Sequence, residues 1–238
     1  MIDFPISDII PALGEFGVVL TDKQVQKLNA YANLLVEWNE KMNLTAITDP
    51  AEVVWKHFYD CLLFFKNVKV NSGAKIIDVG TGAGFPGMVL KIVREDIELT
   101  LLDGLNKRLV FLNEVLKELS LGAKVVHMRA EEGAKKAQFR EQYDFAVARA
   151  VANMNVLSEY CMPYVKVGGS FVALKGPSGS EEAKNAKKAI DILGGTKVNL
   201  YAEQYDMIGD RTIIEVKKTR STPEKYPRIS AKISKQPL

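Results

Sequence analysis

Apolar residues in the first third of the chain recur every three or four positions. Val25, Leu28, Ala32, Leu35, Trp38 and Met42 fall on one face of a helix. Thr21, with Gln24 three residues on, is the capping-box pattern that starts it. A second start follows at Asp49-Pro50, where the aspartate caps, the proline occupies a first-turn position that needs no N–H, and Glu52 sits in the first turn. That helix carries Val53, Val54, His57, Phe58, Cys61, Leu62 and Phe65, and residues 1–70 are predicted to form a helical cap.

From Lys75 the period changes. Short runs rich in β-branched residues, Lys75–Val79, Leu99–Asp103, Ala123–His127, Tyr143–Ala148 and Ser170–Lys175, alternate with amphipathic stretches at Phe85–Arg94, Leu105–Leu119, Glu131–Ala137, Met154–Tyr164 and Glu181–Leu193. Strands buried on both faces and separated by helices imply βαβ units around a parallel sheet. The alternation breaks at Lys197–Ala202 and Arg211–Lys217, two strands joined through a turn-rich stretch containing Gly209-Asp210, so the sheet is expected to end in a hairpin. The division is thus a cap (1–70), an α/β domain (71–220) and a C-terminal tail (221–238).

Composition narrows the class. Of 238 residues, 47% are apolar and 26% charged, a balance that supports a buried core and excludes disordered and fibrous readings. No apolar run approaches the roughly 20 residues of a membrane span, and no secretory leader pattern is present, so a cytoplasmic protein without membrane contact is expected. Cys61 and Cys161 stand alone, and His57 and His127 form no ligand cluster, so neither a disulfide framework nor a metal site is expected. The net charge of +3 is unevenly spread: Lys217–Leu238 holds seven basic residues against one acid, Glu224. A basic tail on an acidic body points to a polyanion such as an RNA backbone, or to a solvated chain end. A tail of this kind is expected to steepen the salt dependence of RNA binding and to leave small-ligand binding untouched.

The segment Asp78-Val-Gly80-Thr-Gly82-Ala-Gly84-Phe85-Pro-Gly87 lies where the first strand meets the first crossover helix, at the sheet edge where open α/β folds bind ligands. Its spacing is G-x-G-x-G, with Phe85 where the dinucleotide fingerprint has its third glycine. Taken alone the loop is either a nucleoside site or a structural turn. Asp103, ending the second strand, supplies a carboxylate able to accept from both hydroxyls of a ribose, and Ala130-Glu131 bring a small residue and a second acid to the same edge, unless Glu131 is a plain first-turn acid. A pocket of carboxylates without a phosphate-binding cation suits a nucleoside that carries positive charge, such as S-adenosylmethionine. A nicotinamide oxidoreductase fits less well.

Trp38-Asn-Glu-Lys-Met-Asn43-Leu-Thr45, His57-Phe-Tyr-Asp60, Asp78 to Gly87, Asp103 to Arg108 and Arg149-Ala-Val151 occur together with the tail Lys225-Tyr226-Pro-Arg228. On these the chain resembles, over nearly its whole length, the bacterial 16S ribosomal RNA (guanine-N7) methyltransferase G family, also called the glucose-inhibited division protein B family. The resemblance implies a class I S-adenosylmethionine-dependent methyltransferase fold, Rossmann-like, with a seven-stranded, mostly parallel sheet ending in an antiparallel hairpin. It implies S-adenosylmethionine as donor and, as acceptor, a guanine N7 of 16S rRNA near the decoding centre, in the small ribosomal subunit, with the enzyme a monomer. Gly80, Phe85, Ala130, Glu131 and Arg149 match the family's donor-binding positions, and Asp103 matches the ribose-binding acid of the fold. Asp78, Gly82 and Gly84 join them as loop residues. Gly104 and Cys61 stand where the family usually has serine.

On the acceptor side, Arg149 is the leading candidate for positioning substrate, either clamping a phosphate or reading guanine O6, or else bound in an ion pair with Asp144 or Glu131. Asn43, His57, Lys107, Arg108, Lys175, Lys225, Tyr226 and Arg228 are candidate RNA contacts; His57, on an apolar helix face, is alternatively a core residue. An S-adenosylmethionine-binding assembly factor without turnover, or a methyltransferase with another acceptor, remains open at this level.

Overall fold

The computed structural model describes residues 2–238. A short 3-10 turn (Ile6–Ile9) and α1 (Ile10–Gly14) precede α2 (Asp22–Met42). Thr21 caps α2 as its spacing requires: its hydroxyl accepts the Gln24 N–H while the Gln24 side chain accepts the Thr21 N–H. Asp49 likewise caps α3 (Pro50–Glu52). The chain then widens into a π-helical segment, Val53–Tyr59, before α4 (Asp60–Asn67).

β1 (Lys75–Val79), α5 (Gly87–Val93), β2 (Glu98–Asp103), α6 (Asn106–Glu118), β3 (Lys124–His127), α7 (Ala130–Gly133), β4 (Tyr143–Arg149), α8 (Met154–Cys161) and β5 (Val165–Lys175) follow in alternation. The expected last helix is two, α9 (Gly179–Asn185) and α10 (Lys187–Ile192), separated at Ala186. β6 (Gly195–Tyr205) and β7 (Gly209–Lys218) make a longer hairpin than the apolar runs indicated, and α11 (Ser230–Lys235) closes the chain. The sheet order is β3-β2-β1-β4-β5-β7-β6, with only β7 antiparallel to its neighbours. The chain turns from one side of β1 to the other between β3 and β4, which puts the switch point at the C-terminal ends of β1 and β4.

Each sheet face carries its own apolar core. On one, Leu28, Tyr31, Ala32 and Leu35 of α2 and Phe58 and Leu62 of the next helices pack with Met88, Val89 and Leu112. The cap therefore shares a core with α5 and α6 rather than folding around one of its own. The other face buries Leu157, Cys161, Tyr164 and Ile190, and takes in Tyr226 of the tail. No helix among the described residues is long and apolar enough to cross a membrane.

Candidate functional site

The loop after β1 is held from three sides. Thr81 Oγ1 and the Gly87 N–H both donate to Asp78 Oδ2, at 2.7 and 2.8 Å, while Asp78 Oδ1 is buried with no partner among the described residues. Burial, only partly offset by the Thr81 and Gly87 hydrogen bonds and the Arg149 charge, pushes the Asp78 carboxyl up to about 6. The Gly80 and Thr81 N–H groups donate to the Leu102 carbonyl, those of Gly84 and Phe85 to the Thr81 carbonyl, and that of Gly82 to Asp103 Oδ2 at 2.9 Å. These donors are all consumed inside the chain, so this loop does not offer a nest of free N–H groups to a pyrophosphate. The third side is the cap, where the Tyr31 hydroxyl donates to the Ala83 carbonyl.

Above the loop opens a cleft of about 400 Å³, lined by Val79 and Gly80 after β1, Asp103, Gly104, Leu105 and Arg108 after β2, Arg129, Ala130 and Glu131 after β3, and Ala150 and Val151 after β4, with Tyr160 and Ser230 completing the wall. Asp103 is 3% exposed; its Oδ1 accepts the Leu105 N–H at 2.8 Å. Gly82 faces open space, since a Cβ placed there would meet nothing within 4 Å. A buried carboxylate at a strand end, a second acid in Glu131 and open space at Gly82 fit a cationic nucleoside such as S-adenosylmethionine. The expectation of a pocket free of cations is corrected: the first turn of α6 brings Arg108 back to 3.4 Å from Asp103 Oδ2, and Arg129 joins the rim.

Gly84 stands apart from the cleft. At φ +103° it packs under the cap, where a Cβ would lie 2.6 Å from Tyr31 Oη, 2.7 Å from Met88 Cγ and 2.8 Å from Leu112 Cδ2. Phe85 also turns away, stacking on His57 with ring centroids 4.5 Å apart and lying 4.8 Å beneath the Arg149 guanidinium.

A second cavity of about 380 Å³ lies across Ala150 from the first, lined by Ile47, Lys56, His57, Asp60, Arg149, Ala150, Leu174, Lys175, Gly176 and Arg211. Ala150, shared by both, is a non-glycine residue at φ +55°, a strained turn of the kind found at functional sites. Arg149 is paired with neither Asp144 nor Glu131. Its Nη1 donates to Asp60 Oδ2 at 2.8 Å and to the Lys56 carbonyl at 3.0 Å, and its Nη2 reaches His57 Nδ1 at 3.0 Å. The π-helical turn, in which the Asp60 N–H reaches back five residues to Trp55, helps present these groups on one side. Arg211 Nε donates to the other oxygen of Asp60 at 2.7 Å. His57 Nε2 meets Thr45 Oγ1 at 2.9 Å, and the Thr45 N–H donates to the Asn39 side chain, so the cap motif and the β4 end form one network. Burial and the neighbouring Arg149 charge hold the imidazole down at about 3.

Other sequence candidates are placed as follows. Asn43 is exposed and ends α2 in a left-handed cap, and Lys107 is exposed beside the cleft. Lys175 reaches into the second cavity but pairs with Glu182 at 2.8 Å. Lys225 is exposed, its ammonium 5.3 Å from the Tyr226 ring, and this ring is itself buried. Arg228 grips the fully buried Glu159 at 2.6 Å, which corrects the picture of a free tail: these two side chains are engaged within the fold. Among the described residues no group of His, Cys, Asp and Glu is disposed to hold a metal. Asp60, Arg211, Lys56, Tyr160 and Ser230 were not anticipated as site residues. For Asp60 a signal existed, the His-x-x-Asp spacing that sets both side chains on one helix face; for Arg211 and Ser230 there was none.

Over residues 24–214 the chain matches the family model described as rRNA small subunit methyltransferase G. It is 50% identical over 233 residues to the Ribosomal RNA small subunit methyltransferase G of Acetivibrio thermocellus, covering 97% of this chain and 95% of that one. The protein of that name from Clostridium perfringens is 49% identical over 233 residues, covering 95% and 96%. Among solved structures, an S-adenosylmethionine-dependent O-methyltransferase from Thermotoga maritima superposes with a TM-score of 0.51 at 15% identity, covering 79% of this chain and 73% of that one, a likeness of fold. A sheet of this order, a cleft at its switch point and near-full-length identity to these relatives agree: the chain belongs to the rRNA small subunit methyltransferase G family.

Proposed function

We propose that the protein transfers a methyl group from S-adenosylmethionine to N7 of one guanine in 16S rRNA near the decoding centre, acting as a monomer in the cytoplasm on RNA of the small subunit. The observation that carries this reading is the pair of cavities meeting at Ala150, one built around a buried carboxylate and the other lined by Lys56, Arg149, Lys175 and Arg211. In this reading Asp103 holds the ribose hydroxyls, Gly80, Ala130 and Glu131 shape the cleft, and Asp78, Gly82 and Gly84 set the loop. Phe85 and Arg149 form the partition towards the acceptor. When bound, S-adenosylmethionine supplies an electrophilic methyl carbon on a sulfonium.

Guanine N7 carries a lone pair and no proton, so transfer needs no general base. The site matches that economy: both His57 nitrogens are engaged, by Arg149 and Thr45, and the ring stays neutral. Catalysis then rests on alignment of acceptor and methyl group, for which well-oriented reactants gain up to about 7–11 kcal/mol. Asp60, whose two oxygens each accept one arginine, fixes Arg149 and Arg211 in the wall of the acceptor cavity, where their remaining N–H groups can position the RNA. The cap (1–70) frames that cavity, the α/β domain (71–220) holds the donor, and Asn43, Lys107, Arg108 and Lys225 are candidate RNA contacts.

The test is incubation with labelled S-adenosylmethionine and small subunits from cells lacking the enzyme, followed by nucleoside analysis. Label in 7-methylguanosine at one 16S position is expected. Donor binding without label transfer would favour a non-catalytic assembly factor.

A further inference from the structure

We propose that the C-terminal segment is part of the donor site, with the hydroxyl pair Tyr160–Ser230 contacting the adenosine end of the bound donor. The inference rests on the donor assignment above and extends it to Ser230 and the segment around it, beyond the family model's match, which ends at 214.

The segment is locked onto the body by buried ionic contacts. Lys218, fully buried, donates to Glu141 Oε1 at 2.8 Å, and the same oxygen accepts the Thr222 N–H at 2.8 Å. The Arg140 guanidinium donates to the carbonyls of Thr222 at 2.8 Å, Pro223 at 3.3 Å and Tyr226 at 2.9 Å, gathering a turn that the Tyr226 N–H closes on the Pro223 carbonyl at 2.9 Å. Arg228 then grips Glu159 through its backbone N–H, Nε and Nη2. Beyond it Ile233 is fully buried.

The Arg228–Glu159 pair fixes a register. Glu159 precedes Tyr160 in α8, and Arg228 lies two residues before Ser230, so the ion pair delivers the two hydroxyls to each other at 3.0 Å. Both line the cleft that holds Asp103, Ala130 and Glu131. They stand towards β3: the helical continuation of α8 packs on the start of α7, with the Tyr164 hydroxyl donating to the Ala130 carbonyl at 2.6 Å. Asp103 ends β2 and takes the ribose, so the wall on its β3 side faces the base. Among the described residues neither hydroxyl has another hydrogen-bond partner beyond this mutual bond, which leaves each able to accept from an adenine amino group or donate to a ring nitrogen.

Tyr160→Phe and Ser230→Ala, together with truncation after Arg228, test this by calorimetric titration with S-adenosylhomocysteine and with 5′-methylthioadenosine, which lacks the amino-acid end. Loss of one net hydrogen bond is expected to weaken both ligands about three- to tenfold in each point variant, by the same factor, with the free protein's Tm lowered equally in the two by loss of their mutual bond. Ser230→Thr should restore affinity, which a merely structural role would not require. Truncation should weaken both ligands more. Unchanged affinity for both ligands, or a loss confined to S-adenosylhomocysteine, overturns the proposal. If the wild-type protein binds neither ligand, the donor assignment itself fails, a result distinct from equal binding by wild type and variants.

Discussion

Arg149 Nη2 lies 3.0 Å from Nδ1 of His57. A guanidinium can only donate, so Nδ1 accepts and the ring proton sits on Nε2, from which it donates to Thr45. One cation on β4 thereby decides the tautomer of a histidine in the cap, and the Phe85 ring beneath both keeps the arrangement in contact with the glycine loop.

A histidine held at about 3 in the fold and near 6.5 when unfolded takes up a proton on unfolding between those values. The unfolded state binds more protons there, so the contribution of His57 to stability is complete above pH 6.5 and is lost as pH falls towards 3. Tm measured across this range should drop less in His57→Gln than in the wild type, and nitrogen NMR of the wild-type ring should report the Nε2–H tautomer at pH 7.

Asp78 acts in the opposite direction. Its carboxyl rises from 3.8 to about 6 on folding, so the folded state holds the proton more tightly and stability declines as pH rises through that interval. The full effect is about 3 kcal/mol. Asp78→Asn should flatten this part of the Tm profile, with Asn accepting from Thr81 and Gly87 in place of the carboxylate.

Arg149→Ala leaves Asp60 in a cavity wall with half its partners, and loss of one member of a buried pair costs about 3–5 kcal/mol. Arg149→Lys is expected to recover little, because one ammonium cannot reach Asp60, the Lys56 carbonyl and His57 with the same fork. Urea midpoints and methyl transfer should both fall for either variant, and a Lys variant with wild-type stability would contradict this account.

Asp103→Ala removes the acceptor for the Gly82 and Leu105 N–H groups as well as the proposed ribose contact. Titration should show donor affinity reduced more than tenfold, about the 1.5–3 kcal/mol of a hydrogen bond to a charged group. NAD should bind neither form.

The two glycines separate packing from conformation. Gly84→Ala drives a methyl group into Tyr31, Met88 and Leu112 at 2.6 to 2.8 Å, whereas Gly82→Ala, at φ +60°, has room. Thermal melts should show Gly82→Ala losing about 1–2 kcal/mol from the left-handed backbone alone, and Gly84→Ala losing more.

What the chain determined by itself was local. The Thr21–Gln24 box, the Asp49-Pro50 start, the five apolar runs and the hairpin that follows them are short-range patterns, and they suffice for a parallel sheet finished by a hairpin with Gly80, Asp103, Ala130 and Glu131 at one edge, while the methyltransferase class was implied by the family resemblance. The π-helical turn at Val53–Tyr59 escaped because a change of helical pitch leaves the apolar spacing nearly intact. Where each charge finds its partner was decided only in three dimensions. Arg149 faces Asp60, 89 residues away in sequence, Arg211 approaches the same carboxylate from 151 residues away, and Arg228 closes on Glu159 rather than reaching into solvent. Burial makes an unpaired charge costly, so packing selects partners by proximity across elements, and a tail that reads as a row of lysines and arginines folds back to bring Ser230 to the cleft above the glycine loop.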